Sequence, residues 1–180
     1  HGIGMAFVES YHLHPLFIAA HAGRLRAELE RFPEGDRERV HVFFTAHSLP
    51  ARILQMQDPY PDQLLESSRA IGEAAGVRNW SFAWQSAGRT NEPWLGPDLL
   101  EAMECLDRKA TSGVVVVPVG FVSDHLEVLY DLDIEARAHA GRLGFRFART
   151  AMLNDDPAYI ETLADAILAV RPEPEGDGRP

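Results

Sequence analysis

Four consecutive valines inside Gly113–Pro118 (GVVVVP) constrain the fold of this chain more than any other feature. A strand with one wet face alternates apolar and polar residues. A β-branched run without a polar position is instead a strand covered on both sides. Coverage on both sides is the mark of a parallel sheet, whose crossover helices lie above and below it. The rest of the chain supplies the partners. Val40–Thr45 (VHVFFT), Trp80–Trp84 (WSFAW) and Phe145–Ala148 read as further strands. Helical periodicity is expected over Leu16–Phe32, Pro61–Ala75, Pro97 to about Arg108, Ser123 to about His139 and Pro157 to about Val170. The expected class is α/β, a parallel sheet of about four strands with helices on both faces.

The 180 residues suffice for one domain with a sizeable core. A net charge of -10 disfavours nucleic acid and anionic membrane surfaces as partners, because both require a basic face. No apolar run approaches the ~20 residues of a membrane span. His1-Gly2-Ile3-Gly4 lacks the basic start and apolar core of a signal peptide. With no initiator Met, the chain is expected to be part of a longer, cytoplasmic protein. Cys105 is the single cysteine, which excludes a disulfide framework and a thiolate cluster from this chain alone. Its apolar neighbours suggest a buried thiol. Phe7-Val8 reads as the remnant of a strand, and the Pro/Gly-rich residues 172–180 as a disordered tail.

In parallel sheets ligands bind outside the carboxyl ends of the strands. VHVFFT is followed by Ala46-His47-Ser48-Leu49-Pro50, WSFAW by Gln85-Ser86-Ala87-Gly88-Arg89, and GVVVVP by Val119-Gly120-Phe121-Val122-Ser123-Asp124-His125. All three segments reach the same edge. On a helix starting near Ser123, Asp124, Glu127, Asp131 and Glu135 share one face, and Leu126, Val128, Leu129, Leu132 and Ala136 the other. Such an acidic stripe can pass a divalent cation or protons from solvent to the strand end. It can equally be a solvated face whose first acids, Asp124 and Glu127, form a capping box.

His47 suits a borderline cation or proton abstraction, roles that compete for one ring nitrogen. His12 and His14, two residues apart before Pro15, are read as surface residues. His125 is turned towards the apolar side of its helix, where a supporting role is as plausible as direct chemistry. Gln85 and Ser86 can recognise a ligand or simply form the turn, Gly88 and Gly96 are turn residues, and Trp94 either anchors its loop or stacks on a flat ligand. Ser48 beside His47 makes no catalytic dyad. Glycine-rich nucleotide motifs and the G-x-S-x-G elbow are absent.

AHSLP, DPYPDQLLES, WQSAG, PWLGP and GFVSDHLEVLYDLDIE, in this order and spacing, resemble the ferrochelatase family over nearly the whole chain. The resemblance implies a Rossmann-like, chelatase-type fold built of two similar halves, with a porphyrin bound between them. On it, residues 1–148 are the C-terminal chelatase-like domain, and the N-terminal half of the parent protein is missing. Residues 149–171 carry a last helix that packs on that half. It implies insertion of Fe²⁺ into the ring, with coproporphyrin III favoured over protoporphyrin IX by a few residues of DHLEVLYDLDIE. By carry-over, His47 and Glu127 are the inner metal-binding and proton-handling pair, and Asp131 and Glu135 the outer acidic track. Ser48, Gln85, Trp94, Asp124 and His125 contact substrate or support that pair. Fe²⁺ is a substrate, no tightly bound cofactor is expected, and the lone cysteine rules out an iron–sulfur cluster from this chain alone. Two readings remain beside this one: a chelatase for cobalt or for a reduced tetrapyrrole such as sirohydrochlorin, and a non-catalytic tetrapyrrole- or metal-binding module.

Overall fold

A computed structural model describes residues 5–170. The valine run forms β3 (Gly113–Val117), buried along its entire length. It lies between β1 (Val40–His47) and β4 (Arg146–Arg149), with β2 (Trp80–Gln85) on the far side of β1. All pairings are parallel, in the order β2-β1-β3-β4. Alternation along the strands divides the core in two. Val42, Phe44, Ala46, Val115 and Val117 pack beneath α1 (Pro15–Glu30), α2 (Tyr60–Ala75) and α6 (Pro157–Val170). Phe43, Ala83, Val114 and Val116 pack against α3 (Leu99–Glu104) and the helix after β3. That helix has three parts: one α-turn, α4 (Leu126–Val128), a π-helical segment, Leu129–Ala136, and α5 (Arg137–Leu143).

The strand order fixes where a ligand can sit. The β1-to-β2 connection steps one way along the sheet and the β3-to-β4 connection steps the other. Right-handed crossovers therefore place α2 and α5 on opposite faces and open a crevice between the carboxyl ends of β1 and β3. His47 ends β1, and the SDHLE segment follows β3.

Several elements differ from expectation. The helix after β3 starts at Leu126, because the backbone from Phe121 to His125 is irregular, with a bend at Val122-Ser123. Asp124 does not cap it: His125 is the N-cap and its side chain makes no capping bond. Helix α3 is shorter than predicted. Pro97 lies outside it, its carbonyl accepting from Trp84 N, and Asp98 provides the cap by accepting from Leu100 N. Phe7-Val8 forms no strand, and Phe7 is exposed. Cys105 is exposed at the end of α3 rather than buried, so its apolar neighbours leave it outside the core. Helix α6 turns Tyr159 and Thr162 inwards against α1 while Ile160, Ile167 and Leu168 stay exposed. The predicted tail, residues 172–180, lies outside the described residues.

Candidate metal and proton site

Strand β1 delivers His47 to the crevice, and close packing holds the loop beside it. Gly120 crosses the end of β1 so tightly that a Cβ there would lie 2.3 Å from Ala46 Cβ and 2.9 Å from Ala46 Cα. Only glycine permits this approach, and Gly120 N uses it to donate to Thr45 O at 3.1 Å. The loop then turns Phe121 between two imidazoles, with ring centroids 6.5 Å from His47 and 5.0 Å from His125.

The orientation of the His47 ring carries chemical information. Nδ1 bonds to the backbone carbonyl of Ser48, which can only accept, so the neutral ring keeps its proton on Nδ1. The lone pair is thereby left on Nε2, which lies 3.5 Å from Glu127 Oε2. A nitrogen lone pair and a carboxylate that face each other are two donors for one cation, or two acceptors for protons. Both side chains are partly open to solvent, 31% for His47 and 55% for Glu127. Among the described residues no group of three or more His, Cys, Asp or Glu is placed to hold a metal ion.

Behind Glu127 the acids continue along the π-helical segment. Asp131 accepts from Ser86 Oγ, which ties the helix to the end of β2, and Ser86 takes a left-handed φ of 60° there. Glu135 is exposed one step further out. Gln85, Ser86, Arg89, Asp98, Asp131 and Glu135 line a cavity of about 290 Å³. Gln85 is 3% exposed, and neither of its amide atoms has a partner among the described residues. The apolar side of the helix is narrower than expected. Val128, Leu132 and Ala136 are buried, whereas Leu126 is 81% exposed and Leu129, Tyr130 and Ile134 also face solvent. Leu129, Tyr130 and Ile134 lie in the π-wound segment, beside the acids, and Leu126 in the α-turn before it.

Asp124 leaves the acidic face expected for it. It precedes the helix and binds Asn154 Nδ2 (3.0 Å) and Arg149 Nη2 (3.3 Å) instead of approaching His47 or Glu127. Arg149 also grips Asp133 with two bonds, Nε to Oδ1 at 3.0 Å and Nη2 to Oδ2 at 2.8 Å. This fork holds the Asp133 carboxyl below its usual range, and the aspartates raise the arginine in turn.

The remaining candidates build the walls. Ser48 is buried and donates to Leu95 O, while its N–H bonds to Gln85 O at 2.7 Å, so it joins the histidine loop to its neighbours. Trp94 anchors its own loop: Nε1 donates to Thr90 Oγ1 (2.8 Å), and its ring lies where a Cβ of Gly88 would stand. Gly88 is therefore a packing glycine more than a turn residue. His12 and His14 are half-buried and pair with Glu66 and Asp165, away from His47. Sequence reasoning missed Tyr60, whose hydroxyl donates to His47 O at 3.0 Å, and burial pushes its phenol up to about 12. It also missed Arg149 and the π winding.

The sequence has matches that agree in extent with this architecture. The ferrochelatase family model covers residues 1–170. A ferrochelatase of Deinococcus radiodurans is 46% identical over 170 residues, covering 93% of this chain and 54% of that protein. The coproporphyrin III ferrochelatase of Bacillus subtilis is 41% identical over 168 residues, again covering 93% of this chain and 54% of the relative. A ferrochelatase of Thermus thermophilus is 43% identical over 170 residues. The chain thus spans about half the length of the curated relatives it matches. A family match over all but the last ten residues, carried by relatives above 40% identity, means that the chain belongs to the ferrochelatase family.

Proposed function

We propose that this chain forms the metal-handling wall of a ferrochelatase, which inserts Fe²⁺ into a porphyrin as two pyrrole protons leave. The observation that carries the reading is the His47 Nε2–Glu127 Oε2 pair, 3.5 Å apart at the crevice between β1 and β3. Coproporphyrin III is the favoured ring, a choice supported by coproporphyrin III ferrochelatases among the relatives, at 41% and 42% identity. The length that the relatives have and this chain lacks supplies the opposite wall of the cleft. The setting is cytoplasmic; no helix among the described residues is long and apolar enough to cross a membrane. Fe²⁺ and the porphyrin are substrates in this reading, with no tightly bound cofactor and no iron–sulfur cluster built from this chain alone, which has one cysteine.

Each residue has a task that follows from its placement. His47 and Glu127 replace water on the arriving Fe²⁺ or accept the protons that the ring nitrogens lose, since the single lone pair on His47 Nε2 serves one of these roles at a time. Two protein donors hold a cation more weakly than the three or four of a resident metal site, which suits an ion that must be given up. Asp131 and Glu135 connect the pair to solvent as an outer track. The exposed Leu126, Leu129, Tyr130 and Ile134 offer a hydrophobic ring an apolar surface next to those acids. A planar ring hides its nitrogen lone pairs. Contacts that hold it distorted lower the barrier at the cost of remote binding energy.

Anaerobic Fe²⁺ insertion into coproporphyrin III and protoporphyrin IX, followed by absorbance in protein of the relatives' full length, tests the proposal. Glu127→Gln should lower turnover about 100-fold, the lower range for loss of a proton-transfer group. Porphyrin affinity should change much less, and His47→Ala should behave alike. Unchanged turnover in Glu127→Gln would sink the assignment. Tight porphyrin binding without insertion of any divalent metal would favour a binding module.

A further inference from the structure

The segment Leu129–Ala136 is π-wound, and no glycine or proline within it explains that winding. A π-helix takes more residues per turn than an α-helix and persists only where its surroundings over-determine it. On one side the buried Val128, Leu132, Ala136 and Ala140 hold it to the sheet. On the other, Arg149 is the side chain that grips both the segment and the chain ahead of it. It binds Asp133 inside the segment through two bonds, 3.0 and 2.8 Å, and Asp124 upstream of α4 at 3.3 Å.

The grip is rigid at each end. Arg149 lies on β4, where its backbone pairs with Val116, its side chain is 12% exposed, and Nη1 donates to Thr150 O at 3.2 Å. Asp124 is locked by Asn154 in both directions: Asp124 N donates to Asn154 Oδ1 at 2.9 Å, and Asn154 Nδ2 donates to Asp124 Oδ2 at 3.0 Å. Asn154 N in turn donates to Val122 O at 2.8 Å. The distance between the two carboxylates is therefore set from outside the helix.

We propose that Arg149 is a positioning residue that fixes the winding of this helix and, through it, the direction in which Asp131 and Glu135 lead away from the His47–Glu127 pair. The proposal rests on reading that pair as the metal-insertion site. In an α-helix a four-residue step overshoots a full turn by about 40°, whereas in a π-helix it falls short by roughly 30°. Relaxation to α winding would swing Glu135 by more than ~100° relative to Glu127, since two such steps separate them. The inner pair would stay in place, and the acids would lead away from it towards a different side of the helix.

The test uses protein of full length, with Arg149→Met to remove the fork and Arg149→Lys to keep the charge without it. Both variants should raise the KM for Fe²⁺ at least tenfold and leave the porphyrin KM within twofold. Glu135→Gln should raise the Fe²⁺ KM in the parent protein and add little on top of Arg149→Lys. Amide hydrogen exchange across residues 129–136 should quicken at least tenfold, with α1 unchanged. An unaltered Fe²⁺ KM in folded Arg149→Lys, or full additivity with Glu135→Gln, would overturn the proposal. If both Arg149 variants fail to fold, Asp133→Asn probes the same fork from the helix side under the same criteria. A parent protein without insertion activity would refute the reading of the pair; the exchange measurement would then still decide whether Arg149 sets the winding.

Discussion

His21 makes a demanding test of the fold, because it is a buried imidazole with nothing to hold it. It sits on the inner face of α1, 1% exposed, with its ring 4.7 Å from Phe17 in an edge contact. Neither ring nitrogen has a partner among the described residues. Loss of hydration, helped by the nearby Arg24 charge, lowers its pKa to about 4. The unfolded chain takes up the same proton near 6.5. Between those values the unfolded state binds more protons, so stability is complete above about pH 6.5 and is lost as pH falls towards 4. At 1.36 kcal/mol per pKa unit the full loss is about 3 kcal/mol, most of it spent by pH 4.5.

His21→Leu isolates that contribution. Leucine has a similar volume and no polar atoms, so at pH 7.5 the variant should be within about 1 kcal/mol of the parent, or more stable. Denaturant titrations at pH 7.5 and 4.5 give the comparison, with the acid loss in the variant smaller by about 2.5 kcal/mol. The carboxylates held low by arginine, Asp133 and Asp156, titrate below this window in both proteins and cancel in the difference. An equal acid loss in the two proteins, or a Leu variant more than ~2 kcal/mol less stable at pH 7.5, would refute the picture of an unpartnered neutral imidazole.

Two further substitutions probe how the walls hold His47. Gly120→Ala forces a methyl to 2.3 Å from Ala46 Cβ and should cost about 3 kcal/mol, read as a lowered melting temperature. Ala46→Gly should restore part of that loss, since Ala46 Cα at 2.9 Å remains in the way; no rescue at all would mean that the clash lies elsewhere. Tyr60→Phe removes the hydroxyl that donates to His47 O at 3.0 Å and should slow insertion about fivefold, the worth of one neutral hydrogen bond. With the phenol pushed up to about 12, that donor stays protonated at any working pH, so the pH profile should keep its shape. A full-rate Phe variant would dismiss Tyr60 from the site.

The layered architecture was legible because its determinants are local. Four valines in a row admit one kind of strand, and the segments after VHVFFT and GVVVVP had to meet at one edge once the sheet was parallel. That reasoning put His47 and the helix carrying Glu127 at one edge, and the fold brings the two side chains to 3.5 Å. The contacts that support them are non-local and left no periodic trace. Arg149 meets Asp133 and Asp124 across sixteen and more residues, and Tyr60 reaches His47 O from the next helix. Cys105 and Phe7 went the other way, apolar in local context yet exposed in the fold.

The π winding is the instructive case, because its trace was present and was interpreted with the wrong period. Glu127, Asp131 and Glu135 repeat every four residues, and so do Val128, Leu132, Ala136 and Ala140. An α-helix drifts by about 40° at each four-residue step, so over three steps such a stripe would rotate off the sheet. A strict repeat of four keeps one face buried only if the helix is unwound beyond 3.6 residues per turn, by the same logic that ties hydrophobic period to winding in coiled coils. The four-residue repeat is matched best by π turns followed by α turns, whose drifts have opposite sign and cancel. Within the unwound segment Tyr130 and Ile134 face outward beside Asp131 and Glu135, so the apolar and acidic surfaces lie side by side on one short helix.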